Sequence, residues 1–209
     1  MKLVIFGASG RTGVQLVKQA LDQGHEVTAF VRKTTSLQIT HARLAKVAGD
    51  VLNINDVESA IQGQDAILSA LGAPPKDQSM LRKKGTECII NAMNNTGVKR
   101  LISLSTLGFG ETRDILPFFL KYFIFPVILR HATQDHAEQE ALIKDSSLDW
   151  TIVRPGNLIE GNKTGVYKHG FSNHEKPIQL KISRADVADF MLKQLSDLNY
   201  LHKAPGISY

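Results

Sequence analysis

Hydrophobic and polar positions follow two rhythms along this chain. Short, nearly continuous apolar runs occur at Leu3–Phe6, Glu26–Val31, Leu44–Ala48, Asp65–Ser69, Arg100–Ser105 and Trp150–Arg154. Between them apolar residues return at helical spacing, as in Val14, Leu16, Val17, Ala20 and Leu21, and helices are predicted over Asn53–Ile61, Ser79–Asn95 and Thr133–Lys144. The first rhythm is that of strands buried on both faces, the second that of amphipathic helices. Their alternation predicts an α/β fold of Rossmann type: one domain over residues 1–209, a doubly wound parallel sheet with helices on both faces and right-handed crossovers. Beyond Pro155-Gly156 the pattern loosens. An irregular segment spans Gly165–His174, a strand lies near Ile178–Ile182, and a helix covers Arg184–Leu195. This last part, about residues 156–209, is expected to complete the substrate side.

The first strand runs directly into Gly7-Ala-Ser-Gly-Arg-Thr-Gly13. Strand, glycine turn and helix together form the context in which such a fingerprint binds a dinucleotide. Gly7 permits a tight turn, Gly10 lets backbone approach a pyrophosphate, and Gly13 lets the helix pack on the strand. Ser9, Arg11 and Thr12 belong to the same turn, where free N–H groups and the helix dipole face the phosphates. The competing reading is a glycine-rich turn with no ligand.

In this fold an acidic residue at the end of the second strand would hold the adenosine ribose and favour NAD. Here that strand ends in Arg32-Lys33. Arg32 can pair bidentately with a 2′-phosphate, Lys33 can add charge, and Arg11 can reach the same phosphate from the other side. NADP(H) is therefore expected over NAD(H), the alternative being that both cations are solvated loop residues. Asp50 and the Val51 backbone follow the third strand, placed for the adenine amino group, although Asp50 also suits a turn. Ala70-Leu71-Gly72 ends the fourth strand and leaves room for ribose and phosphates.

Composition narrows the alternatives. The chain has 209 residues, 43% of them hydrophobic and 22% charged, which is ordinary for a globular protein. The single Cys88 excludes an internal disulfide and reads as a buried, inert thiol. The net charge of +5 is mild, the basic residues are scattered, and no basic–aromatic repeat supports nucleic-acid binding. The seven histidines show no metal-ligand spacing. The longest apolar stretch, Ile115–Leu129, holds Lys121, Pro117 and Pro126 and is too short for a membrane span. No signal segment is apparent, so the cytoplasm is the expected compartment.

Gly7-Ala-Ser-Gly-Arg-Thr-Gly13, Val31-Arg32, Gly49-Asp50-Val51, Ser103-Leu-Ser-Thr106 and Val153-Arg-Pro-Gly156 together resemble the atypical short-chain dehydrogenase/reductase superfamily. Gly49-Asp-Val-Leu52, Gly63-Gln-Asp-Ala66, Asp135-His136, Thr164-Gly165-x-Tyr167 and Ser183-Arg-Ala-Asp186 look like its biliverdin-IXβ reductase, or NADPH flavin reductase, family. The resemblance implies NADPH-dependent hydride transfer to a planar conjugated acceptor, a flavin such as FMN or a biliverdin-like tetrapyrrole. Typical superfamily members use Tyr-x-x-x-Lys, but Ala132 and His136 occupy those positions here. A tyrosine-driven alcohol or ketone reaction is therefore not expected.

For a planar acceptor the nicotinamide supplies the hydride and the protein supplies alignment. Ser105 and Thr106, at the end of the fifth strand, are the candidates to bind the carboxamide or orient a water; the alternative is local bonding to backbone. The backbone of Pro155-Gly156-Asn157 is expected to contact the nicotinamide amide. His136 is a candidate proton donor, with a structural hydrogen bond as the competing role. Asp135, Glu138 and Glu140 read as a solvated helical face. Leu107, Phe109, Phe118 and Tyr122, with neighbouring aromatics, are candidates for a substrate pocket. The expected partner is a small molecule, with no nucleic acid and no membrane, and the protein a monomer or weak homodimer. The rival readings are an NADP(H)-sensing protein without turnover and a quinone reductase.

Overall fold

A computed structural model describes residues 1–74, 77–108, 112, 115, 118–119, 122–123, 129–171 and 178–209. The six apolar runs form strands β1 (Lys2–Phe6), β2 (Glu26–Val31), β3 (Leu44–Ala48), β4 (Ala66–Ser69), β5 (Arg100–Leu104) and β6 (Asp149–Pro155). The helices are α1 (Arg11–Asp22), α2 (Ile54–Ile61), α3 (Leu81–Thr96), α4 (Arg130–Asp145) and α5 (Arg184–Lys193). Four short strands complete the list: β7 (Asn157–Ile159), β8 (Lys168–His169), β9 (Lys181–Ser183) and β10 (Gly206–Ser208).

The main sheet runs β3-β2-β1-β4-β5-β6-β10-β8. Every pairing in it is parallel except β10 with β8. Every residue of β4 and β5 is buried, as expected for strands covered on both faces. One apolar layer joins the sheet to α1 and α5 through Leu16, Val17, Ala20, Val187 and Met191. The other joins it to α2, α3 and α4 through Val57, Ile61, Ile89, Met93 and Ile143. The strand order reverses between β1 and β4, and ligands gather at the carboxyl ends of strands at such a switch point.

Local chemistry sets the helix ends. The Asn53 side chain accepts from Asn55 N–H at 3.0 Å and starts α2. Ser183 Oγ accepts from Asp186 N–H at 3.0 Å and starts α5. Gly97, with φ of 77°, ends α3.

Three expectations shift. Helix α4 begins at Arg130, three residues before its predicted start. The strand expected near Ile178–Ile182 is β9, three residues long and paired with β7 outside the main sheet. Strand β10 was not foreseen, because three residues after a proline carry no periodicity to detect. Cys88 is half-buried, and burial is the main cause that pushes its thiol pKa up, in keeping with an unreactive group.

Candidate functional site

A cleft of about 1100 Å³ opens over the carboxyl ends of β1, β2, β4, β5 and β6. Its floor is the glycine turn. Gly7 has φ of +74°, and a Cβ there would meet Ala70 O at 2.4 Å. A Cβ on Gly13 would meet Gly7 O at 2.1 Å, so Gly13 packs α1 onto the turn from behind and is not itself exposed to the cleft. Gly10 differs: a Cβ there would meet only Gly7 O, at 3.1 Å. It caps α1 without a side-chain hydrogen bond, leaving the first-turn N–H groups to an outside acceptor. That cradle fits a dinucleotide pyrophosphate.

The predicted residues Gly7, Ser9, Gly10, Arg11, Thr12, Arg32, Asp50, Val51, Ala70, Leu71, Gly72, Ser105, Thr106, His136, Pro155, Gly156 and Asn157 all line this cleft. Elements far apart in sequence bring them together. Arg32 follows the last residue of β2 and is exposed. Lys33 stands outside the lining, where it caps a 3-10 turn at Thr34–Ser36 and its carbonyl accepts from Ser36 Oγ at 2.6 Å. Asp50 lines the cleft and also accepts from Leu52 N–H at 3.0 Å, so the turn role is present too.

On the far side, Ser105 Oγ and His136 Nδ1 lie 3.4 Å apart. Burial, reinforced by the Arg82 guanidinium, lowers the His136 pKa to about 3. The imidazole is therefore neutral near pH 7. A desolvated ring beside a cation disfavours the imidazolium, in line with the structural hydrogen bond given as the competing role for His136. Thr106 Oγ1 is 3.4 Å from the Leu107 carbonyl.

Helix α4 holds the largest departure from expectation. Asp135, His136, Gln139, Glu140 and Ile143 form its buried face, whereas Glu138 pairs near the surface with Lys83 at 2.9 Å. Asp135 takes Arg82 Nη1 at 3.0 Å and the backbone N–H of Lys83 at 2.8 Å, tying the start of α3 to α4. Glu140 takes Arg154 Nε at 2.9 Å and Nη2 at 2.5 Å, with both side chains almost wholly buried. Asp135 and Glu140 are thus internal ion partners, not a solvated face. The sequence signals only that some acid is buried, because Arg154 sits in an apolar strand and a buried guanidinium requires one; it does not say which.

The expected substrate-pocket residues are not gathered here. Leu107 is buried against Phe171 and lies outside the cleft lining. Phe118 and Tyr122 are exposed, with ring centroids 4.7 Å apart, and line no part of the cleft. Phe109 lies outside the described residues. Sequence reasoning missed Arg82, Leu158 and Arg184, which do line the cleft.

The C-terminal segment is fastened by Asp186. Its carboxylate accepts from Thr164 N–H and Gly165 N–H, each at 2.8 Å, and from Tyr209 OH at 2.6 Å. Burial alone would raise its pKa, but these bonds together hold it below the usual carboxylate range. Among the described residues there is no cluster of three or more metal-ligating side chains, and no helix is long and apolar enough to cross a membrane.

A glycine-turn cleft at the switch point of a doubly wound sheet defines a dinucleotide-binding Rossmann protein. A family profile described as NAD(P)H-binding matches residues 7–198, and the chain belongs to that NAD(P)H-binding family. The uncharacterized protein YwnB of Bacillus subtilis is 29% identical over 182 residues, covering 83% of this chain and 81% of that protein. A short-chain dehydrogenase/reductase of Veillonella parvula, solved in complex with NADP, superposes with a TM-score of 0.84 at 19% identity, covering 100% of this chain and 94% of that one. ChuY of Escherichia coli O157:H7, described as an anaerobillin reductase, superposes with a TM-score of 0.79 at 22% identity, covering 99% of this chain and 96% of that one. At these identities the two structures share the fold with this chain.

Proposed function

We propose that this protein is an NADPH-dependent reductase that passes hydride to a planar conjugated acceptor, a flavin or a linear tetrapyrrole. One observation carries the reading. Among the described cleft residues there is no tyrosine and no lysine, and the one histidine is neutral. The described residues can bind and align, but among them is no tyrosine–lysine pair to protonate an alkoxide. A conjugated acceptor spreads the incoming charge and can take its proton from solvent, so alignment suffices. The description of ChuY supports a tetrapyrrole as one acceptor class.

The preference for NADPH rests on Arg32, a cation where an NAD-binding site would carry an acid. Gly10 and the first turn of α1 would take the pyrophosphate, Asp50 the adenine, and Ser105 with the Pro155–Asn157 backbone the nicotinamide amide. Residues from Gly156 onward close the acceptor side, with Asn157, Leu158 and Arg184 facing the cleft. The reading includes a cytoplasmic protein acting as a monomer or weak dimer. The same lack of a tyrosine–lysine pair among the described residues favours one alternative, an NADP(H)-sensing protein that binds without turnover.

The deciding experiment follows loss of nicotinamide absorbance with FMN, biliverdin or a quinone supplied separately. Turnover with FMN or biliverdin is expected. Turnover with the quinone alone would make the protein a quinone reductase. Tight NADPH binding with no turnover would favour the sensor.

A further inference from the structure

At the rim of the cleft, three charged side chains from distant parts of the chain meet. Glu160, one residue past β7, accepts from Arg184 Nη1 at 2.8 Å and lies 3.4 Å from Arg11 Nη1. Their surroundings differ sharply: the Arg184 side chain is 9% exposed, that of Glu160 68% and that of Arg11 74%. A guanidinium withdrawn from water needs an anion beside it. Here the anion is a carboxylate that can swing back into water at little cost. Arg184 and Arg11 both line the cleft, and Glu160 does not. Arg11 directly follows Gly10, beside the uncapped first turn of α1. Two cations and a set of free N–H groups thus converge on one place, and the protein's own carboxylate partly neutralises it.

We propose that Glu160 is an internal stand-in for the dinucleotide diphosphate. On binding, the diphosphate displaces Glu160 from Arg184 and Arg11 and takes both as ion partners. The exchange never leaves Arg184 buried without a counter-charge. A diphosphate brings more charge and more acceptor oxygens than a carboxylate, so the ligand wins. Glu160 is then a built-in competitor that loosens the cofactor and hastens its release, and Arg184 is a binding residue. The inference rests on the dinucleotide reading of the cleft.

The test titrates the whole protein with NADPH and with NADH, read by nicotinamide fluorescence, for wild type, Glu160→Gln, Arg184→Gln and the double variant. Glu160→Gln is expected to bind both dinucleotides roughly threefold tighter, the scale of an exposed ion pair. Arg184→Gln is expected to weaken both by about tenfold or more. In the Arg184→Gln background the gain from Glu160→Gln should shrink, because the two residues act on one group. The effects should match for NADPH and NADH, which share the diphosphate. Unchanged or weaker binding by Glu160→Gln overturns the proposal. Tightening confined to NADPH moves the exchange to the 2′-phosphate, and a shift seen only in the KM for FMN or biliverdin moves it to the acceptor; either result overturns the diphosphate assignment. If Arg184→Gln does not fold, the exposed Glu160 variant decides alone. A wild type that binds no dinucleotide defeats the underlying reading. Normal binding that ignores both substitutions defeats the exchange alone.

Discussion

On the β1–β4 side of the cleft, backbone shapes the site. Gly7 turns with positive φ against Ala70, Gly13 brings α1 down on the turn, and Gly10 leaves N–H groups open to a ligand. On the β5–β6 side, buried polar side chains shape it. Asp135 holds Arg82, Glu140 holds Arg154, Gln139 donates to Ser103 at 3.1 Å, and His136 stands neutral beside Ser105. The first half depends on the absence of side chains, the second on pairs that must be complete. A backbone site tolerates change wherever no Cβ collides. A buried pair fails when either member is lost, because the survivor keeps its desolvation cost.

The largest expected effect is on the paired half. Glu140→Ala removes the carboxylate that takes both Nε and Nη2 of the buried Arg154 and should cost about 3–5 kcal/mol of stability, read from urea denaturation. A loss below about 1 kcal/mol would mean that water or another group replaces the carboxylate, and the contrast between the two halves would weaken. On the backbone half, Gly10→Val should abolish NADPH binding yet leave the melting temperature close to wild type, since its Cβ meets only Gly7 O. Retained binding would show that the pyrophosphate lies elsewhere.

Arg32→Ala should weaken NADPH binding by roughly tenfold or more and leave NADH nearly unchanged, because only NADPH carries the 2′-phosphate. Equal losses for both would remove the phosphate assignment. His136 supplies a pH test. Its folded pKa of about 3 lies below the ordinary 6.5, so between these values the unfolded chain binds a proton that the folded chain does not. Its contribution is complete above pH 6.5 and is lost as pH falls toward 3, with a slope near 1.4 kcal/mol per pH unit. His136→Gln should flatten that part of the stability curve. Persistence of the slope would assign it to other groups. The smallest effect belongs to Glu138→Gln, two residues from Glu140 on the same helix. Its partly exposed partnership with Lys83 should leave the denaturation midpoint within error of wild type.

Six of the eight strands of the main sheet were legible in the chain because burial on both faces writes a continuous apolar run, whereas β10 and β8 were not. The glycine turn was legible from its spacing directly after a strand, and local geometry demands glycine at Gly7 and Gly13. That Arg32 would border the cleft was legible from its place at a strand end. The polar face of α4 was misread, because Asp135, Glu138 and Glu140 are chemically alike along the sequence. Only the positions of Arg82, Arg154 and Lys83 in space tell them apart. Phe118 and Tyr122 were misplaced for a related reason: apolarity does not say which way a ring faces, and both face outward.

The sequence by itself therefore determined six strands of the main sheet and the glycine turn, set by short-range periodicity and by the steric freedom of glycine. Tertiary structure alone decided which charges are buried and with whom they pair, that His136 is neutral, and that Arg184, Glu160 and Arg11 meet at the cleft rim. Those properties depend on desolvation and on distances between residues separated by up to about 170 positions, and no local pattern encodes either.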